Sequence, residues 1–404
     1  MVRKAARSIV GISSFKPDGE GIAQCTGIVV RWNEITRMAT IVTCSAAVCV
    51  NGALAHPEPK GTSCFSIYSC INDPWSAAIV AEDNYRSAAA AVADDPWSTA
   101  VAADNSWNAA VVAADNNSWS TVVALLIRFP NRAIGEGRLL FFNAHYRIAL
   151  LEVLADYPLQ PANFGSSPRF GQQGFALARD DESYLIARRG TVLCQEPPRY
   201  LKYRHWLSLG CELAPCGMGG SVINEHGDVI GMTVSHSPNP YMLSISIMRT
   251  CIEMWTNFSR VARPIHGMNL RAVELLDISY QEDIELEYGI NDGFIVNMVS
   301  NGSSAERLGI SEGDIIVSYG GQHDFTLHKF EHFLLSLCWG FLMSIDSTWR
   351  VNFEDFLMRM NRSAYIYAVP RKKGFFKQQD HHAMPYALLF LFDVLVHTIR
   401  NCPR

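Results

Sequence analysis

Apolar residues in the first seventy positions come in short runs separated by glycine or polar breaks: Ser8–Phe15, Ile22–Trp32, Met38–Cys44 and Cys64–Tyr68. Regular short strands with intervening turns predict an all-β barrel or sandwich. The pattern resumes with Leu139–Phe142, Ile148–Val153, Gly174–Ala178, Tyr184–Gly190, Ser221–Ile223 and Val229–Val234. Ile252–Val261 reads as a helix closing this domain. Beyond residue 262 the period changes. Leu327, Phe330, Phe333, Leu334 and Leu337 have the spacing of one helical face, predicting a helix over Phe325–Leu337. Asp346–Pro370 is expected to return to the sheet, with an irregular section over Trp339–Met360. Tyr386–Val396 is mostly apolar, about eleven residues long and too short to span a bilayer. A short helix is expected there.

One stretch departs from this rhythm. Asp73-Pro74-Trp75-Ser76 recurs at Asp95-Pro96-Trp97-Ser98, and Tyr85 to Trp107 and Trp97 to Trp119 repeat the same interval. Pro74, Pro96 and the Asp/Asn clusters favour broken, hairpin-like segments over one long helix. Residues 72–119 are expected to be a surface insertion rather than a functional binding module.

The chain has 404 residues, enough for two to three domains, and 49% hydrophobic against 18% charged residues supplies ample core. A net charge of −5 gives no basic excess, which argues against nucleic acid or an anionic membrane as the main partner. Eleven cysteines, an odd number without metal-site spacing, read as free thiols of a reducing compartment. His381-His382 lack a third ligand at metal spacing, so neither metal nor other cofactor is expected. The basic start Met1–Arg7 leads straight into strand-like sequence, and no signal peptide is expected. A cytoplasmic or nuclear location is favoured, with no membrane span.

Candidate chemistry sits at Pro215-Cys216-Gly217-Met218-Gly219-Gly220-Ser221-Val222, followed by the turn Asn224-Glu225-His226-Gly227-Asp228. This stretch resembles the nucleophile loop of trypsin-like serine proteases and the hairpin after it, with Met218 in the serine's position. Ala39–Val48 is similar to the strand leading to the catalytic histidine and puts Ala46 in that slot. Phe141–Leu151 resembles the segment carrying the aspartate and puts Arg147 there. Asp292–Ile316 resembles the signature of a PDZ domain, with Gly302-Ser303-Ser304-Ala305 at a helix entry and Gly313-Asp314-Ile315-Ile316 opening a strand. A trypsin-like domain followed by one PDZ domain is the layout of the HtrA (Deg, protease Do-like) family, and the wording is similar to its divergent plant-type members.

The resemblance implies a mainly β chain. A trypsin-like double β-barrel over 1–262 is followed by a PDZ (α+β) domain over 263–370 and a tail over 371–404. It implies no working triad, because a thioether, a methyl group and a guanidinium cannot relay protons to an acyl intermediate. Cys216, Gly217 and Met218 hold the oxyanion-loop positions, and Cys216 replaces the usual glycine, whose positive φ costs little. In the second domain, Ile265, His266, Gly267 and Met268 match the loop whose amides hold a peptide carboxylate, with Leu270, Phe330, Phe333 and Leu334 lining the groove. The reading is a catalytically inactive homologue that binds peptide C-termini or extended segments, with a trimer implied by the resemblance. The alternatives are an active endopeptidase using Cys216 or Ser221, and a degenerate gene copy. His145 stands beside the aspartate slot rather than the histidine slot and reads as a loop histidine.

Overall fold

The computed structural model describes residues 1–16, 19–50, 53–54, 124–195, 204–235, 240–263, 266–307, 309–347, 365–369 and 386–389. Two compact units are present. One comprises Met1–Val192 with Leu209–Ile245, the other Leu193–Ser208 with Ser246–Arg404.

A short helix α1 (Val2–Ala5) opens the first unit. The strands β1 (Ile9–Phe15), β2 (Gly21–Asn33) and β3 (Met38–Cys44) follow, then the two-residue strands β4 (Cys49–Val50) and β5 (Ala53–Leu54), then β6 (Ala124–Arg128), β7 (Ile134–Asn143) and β8 (Ile148–Leu154). Six of them close a barrel in the order β1-β2-β3-β8-β7-β6. Closure leaves no sheet edge unpaired. Bulges between Val29 and Arg31 and between Leu139 and Phe141 bend the ladders. Val10, Ile12, Val29, Ile41, Ile127 and Leu151 are among the buried side chains that fill it.

A second closed barrel has the order β10-β11-β14-β13-β12-β9. Its strands are β9 (Gln173–Arg179), β10 (Leu185–Leu193), β11 (Leu207–Leu209), β12 (Ser221–Ile223), β13 (Val229–Ser235) and β14 (Tyr241–Ser244). The two closed barrels are the trypsin-like double barrel expected from the sequence. Arg179 ends β9 as a buried cation. Its guanidinium donates to the carbonyls of Ile9 at 2.7 Å, Ser183 at 2.6 Å and Ala6 at 2.8 Å. Burial lowers its pKa, but three carbonyl acceptors satisfy the charged form and fasten the N-terminal segment to the second barrel.

In the second unit, α2 (Ile245–Phe258) runs on from β14, and Phe258 meets Trp339 edge-on at 5.4 Å. A five-stranded sheet then has the order β15 (Met268–Ala272), β16 (Phe294–Val299), β17 (Ile315–Tyr319), β18 (Tyr365–Val369), β19 (Tyr386–Leu389). Each neighbouring pair is antiparallel. Helices α3 (Ile278–Tyr288), α4 (Ser304–Arg307) and α5 (Leu327–Ser347) complete it. The core is aromatic: Phe294 lies 5.3 Å from Phe325, and Tyr319 lies 5.0 Å from Phe330.

Three expectations are corrected. The closing helix starts at Ile245 rather than Ile252. The second-unit helix continues to Ser347, so part of the section read as irregular is helical. Helix α3 occupies a stretch on which the sequence reading set no expectation; it buries only Ile284, so its sequence carries almost no amphipathic signal. Tyr386–Leu389 is a strand rather than the start of a helix. Periodicity cannot separate strand from helix in so short an apolar run, and the open edge of β18 supplies a partner ladder. The 72–119 repeat, the Cys64–Tyr68 strand and His381-His382 lie outside the described residues.

Candidate functional site

The three residues that the sequence resemblance puts in triad slots stand on three loops of the first unit. Ala46 lies in a 3₁₀ turn, Ser45–Ala47, entered directly from β3. Arg147 ends the β7–β8 turn, where its N–H reaches the Ala144 carbonyl at 3.2 Å and Asn143 Oδ1 accepts from the Tyr146 N–H at 2.9 Å. The Ser45 N–H donates to the Arg147 carbonyl at 2.9 Å, so the loops carrying Ala46 and Arg147 are joined through their backbones. Met218 comes from the second barrel, and its carbonyl accepts the Thr26 N–H at 2.8 Å. Its side chain and that of Ala46 pack against the same first-barrel core. Two of the three positions read as triad slots therefore hold apolar side chains packed on the barrel core. Arg147 carries φ +53°, in the left-handed region. Its guanidinium lies within electrostatic range of Cys25 and Cys44, favouring their thiolates, but burial dominates and pushes both thiols up.

The loop is framed by two threonines that the sequence reading passed over. Thr26 Oγ1 donates to the Cys216 carbonyl at 2.8 Å and accepts the Arg179 N–H at 3.0 Å. Thr233 Oγ1 donates to the Gly217 and Gly220 carbonyls. The available signal was a threonine buried within an otherwise apolar strand, which must hydrogen-bond something. Thr26→Val keeps the shape but leaves the Cys216 carbonyl and Arg179 amide without this partner. We expect a loss of about 3 kcal/mol in urea unfolding, with Thr26→Ser close to wild type.

Gly219, at φ +79°, lies where the two barrels meet. A Cβ there would fall 2.2 Å from the Thr26 carbonyl oxygen, 2.3 Å from Thr43 Oγ1 and 2.7 Å from the Cys44 nitrogen. This glycine is demanded by the packing of the barrels, whatever the loop does chemically.

The oxyanion segment is a tight turn in which the Gly217 N–H donates to the Ala214 carbonyl at 2.8 Å, with Pro215 and Cys216 at its centre. Cys216 is not among the residues with positive φ. A type II turn needs φ near +80° at that position, and between types I and II the central peptide rotates by about 150°. The Cys216 N–H therefore does not have the direction a glycine at positive φ would give it. The Cys216 side chain is buried against Ala178 and Ala214.

Neither substitute nucleophile is activated. Burial pushes the Cys216 thiol up, and Asp180 and Asp181 push it the same way, so the thiolate is disfavoured. Ser221 Oγ is fully buried in β12 and has no hydrogen-bond partner. His145 stacks edge-on with Tyr146 at 4.7 Å, and His226 is exposed in the β12–β13 turn.

In the second unit, Ile265 lies outside the described residues. His266, Gly267 and Met268 form the entry to β15. Gly267 has φ +75°, and a Cβ there would lie 2.2 Å from Ser303 Cβ. The His266 carbonyl accepts the Ala305 N–H at 3.2 Å and the Gly267 carbonyl the Ser300 N–H at 2.9 Å. The Met268 N–H, which the sequence reading reserved for a carboxylate, donates instead to His266 Nδ1 at 3.0 Å. The His266 ring meets Phe330 edge-on at 5.8 Å. Met268, Leu270, Phe330 and Leu334 are brought together, but as buried core; Phe333 is partly buried beside them. Among the described residues, strand β15 has a sheet partner on one side only, β16.

Residues 25–232, more than half of the chain, match the family described as Trypsin-like peptidase domain. The chain is 24% identical over 199 residues to Putative protease Do-like 14 of Arabidopsis thaliana, covering 46% of each protein. It is 23% identical over 114 residues to a Serine protease HtrA-like of Staphylococcus aureus (strain USA300), covering 27% of this chain and 15% of that one. It thus spans less than half the length of these curated relatives. Among solved structures, HtrA-type protease AlgW with tripeptide aligns at 12% identity over 83% of this chain and 86% of that one, with a TM-score of 0.48.

Proposed function

We propose that this chain, which belongs to the trypsin-like peptidase domain family in its HtrA (Do-like) branch, hydrolyses no peptide bond and instead binds extended polypeptide through a PDZ-like second unit. The observation that carries the reading is the joint occupancy of the triad loops by Ala46, Arg147 and Met218. Losing the nucleophile or base of a comparable triad costs roughly a million-fold in kcat. What persists elsewhere, roughly 10³–10⁴ over water, comes from the oxyanion hole and substrate binding. The turn at Cys216 removes one donor from that remainder. The buried, unactivated Ser221 and Cys216 support the same reading against the active-endopeptidase alternative.

Binding does not depend on the triad. A sheet edge offers main-chain donors and acceptors to an added strand, and β15 is such an edge within its sheet. The PDZ-like assignment rests on the motifs around Gly302 and Gly313 together with that edge strand beside a long helix. The trimer implied by the resemblance belongs to the same reading and is read out by the mass of the purified protein in solution.

The test is direct. Purified full chain should release no fragments from casein and take no label from a fluorophosphonate probe, with an active trypsin-like protease as control. A stoichiometric adduct on any side chain would refute the proposal.

A further inference from the structure

The second unit's loop answers a question that the strand-addition reading leaves open: which part of a polypeptide it takes. A terminal carboxylate is held by loop amides while the last side chain enters an apolar pocket. One of the loop amides and the apolar side chains are engaged internally here. The Met268 N–H donates to His266 Nδ1 at 3.0 Å. The imidazole is 9% exposed and braced against Phe330 at 5.8 Å, so it cannot swing aside without losing that contact. Met268 and Phe330 themselves are buried against Leu270 and Leu334, leaving those side chains packed on one another. An incoming carboxylate would also face the imidazole's acceptor nitrogen, and two acceptors cannot share one N–H without mutual repulsion. The Gly267 and His266 carbonyls are fastened to Ser300 and Ala305, which fixes the loop around this arrangement. Strand addition along β15, by contrast, requires only main-chain groups, and among the described residues β15 is partnered on one side.

We propose that His266 is an intramolecular stand-in for a peptide carboxylate, so that β15 accepts internal extended segments in preference to free C-termini. This rests on the strand-addition reading above and names its substrate class. His266 is a positioning residue here: it acts through the amide that it occupies.

Two random heptapeptide libraries test it on the full chain, one displayed with free C-termini and one within a host protein. The wild type is expected to enrich the internal library, and synthetic peptides from either source should change affinity less than about threefold when a free carboxylate is replaced by an amide. His266→Ala, which frees the Met268 N–H, should bring carboxylate dependence of at least about tenfold. His266→Asn should keep the wild-type preference, because asparagine hydrogen-bonds the backbone two residues on. If His266→Ala fails to fold, the amidation series on the wild type decides alone. Wild-type ligands that lose about tenfold or more on amidation would overturn the inference and leave peptide binding standing. Enrichment from neither library would overturn peptide binding itself, and the inference with it.

Discussion

Gly219→Ala is expected to cost the first unit about 4 kcal/mol or more, enough to leave it largely unfolded under conditions where the wild type is stable. Two penalties combine. A side chain at φ +79° costs roughly 1–2 kcal/mol in the left-handed region. The new methyl also overlaps the Thr26 carbonyl, Thr43 Oγ1 and the Cys44 amide, which belong to the strands β2 and β3 and cannot retreat without opening the first barrel. Overpacking against flexible side chains costs roughly 1–3 kcal/mol, and here the obstacles are mainly backbone. Native domains have only about 5–15 kcal/mol in hand. Gly171 supplies the control: it has φ +77° with nothing within 4 Å of an added Cβ. Gly171→Ala isolates the conformational penalty and should lose only about 1–2 kcal/mol. Urea titration followed by near-ultraviolet circular dichroism reads both. Equal losses in the two variants would show that the barrels do not need the close approach at Gly219.

Rebuilding the triad alone should not rebuild a protease. Ala46→His, Arg147→Asp and Met218→Ser together restore the reacting groups, yet the turn at Pro215–Cys216 still lacks the positive-φ residue that aims the second oxyanion amide. Removing one such donor costs on the order of 10²–10³ in kcat elsewhere. Adding Cys216→Gly to the triple variant is therefore expected to raise hydrolysis of a chromogenic peptide ester by about 10²–10³. The same Cys216→Gly change in the wild-type background should give no hydrolysis. A triple variant as active as the quadruple one would show that the turn is not the obstacle described.

Much of this architecture was legible in sequence because half-buried strands write an alternating or continuous apolar record. Ile9–Phe15, Met38–Cys44 and Ile148–Leu154 lie within a residue or so of the runs read from composition. The strands passed over were short. Leu207–Leu209 and Tyr241–Ser244 offer three and four residues, too few for any period to emerge. The α3 helix was missed for the opposite reason: with Ile278 and Leu286 exposed it carries apolar residues on the wrong face. The triad slots were located from neighbouring strands, and the Ser45–Arg147 hydrogen bond links two of those loops. What the sequence could not reveal was occupancy. That the Met268 amide is taken by a ring two residues earlier, and that the proposed groove side chains pack on one another, depend on rotamers that no spacing encodes.

The left-handed backbone at Arg147 carries a consequence for how such a chain tolerates change. At φ +53° an arginine is held where short polar side chains sit far more comfortably, aspartate and asparagine above all. The turn is held by the Arg147 N–H bond to the Ala144 carbonyl and the Tyr146 N–H bond to Asn143 Oδ1, and aspartate would fit this backbone with less strain. Arg147→Asp at this single site should relieve local tension and firm up the hairpin, independently of any gain in chemistry.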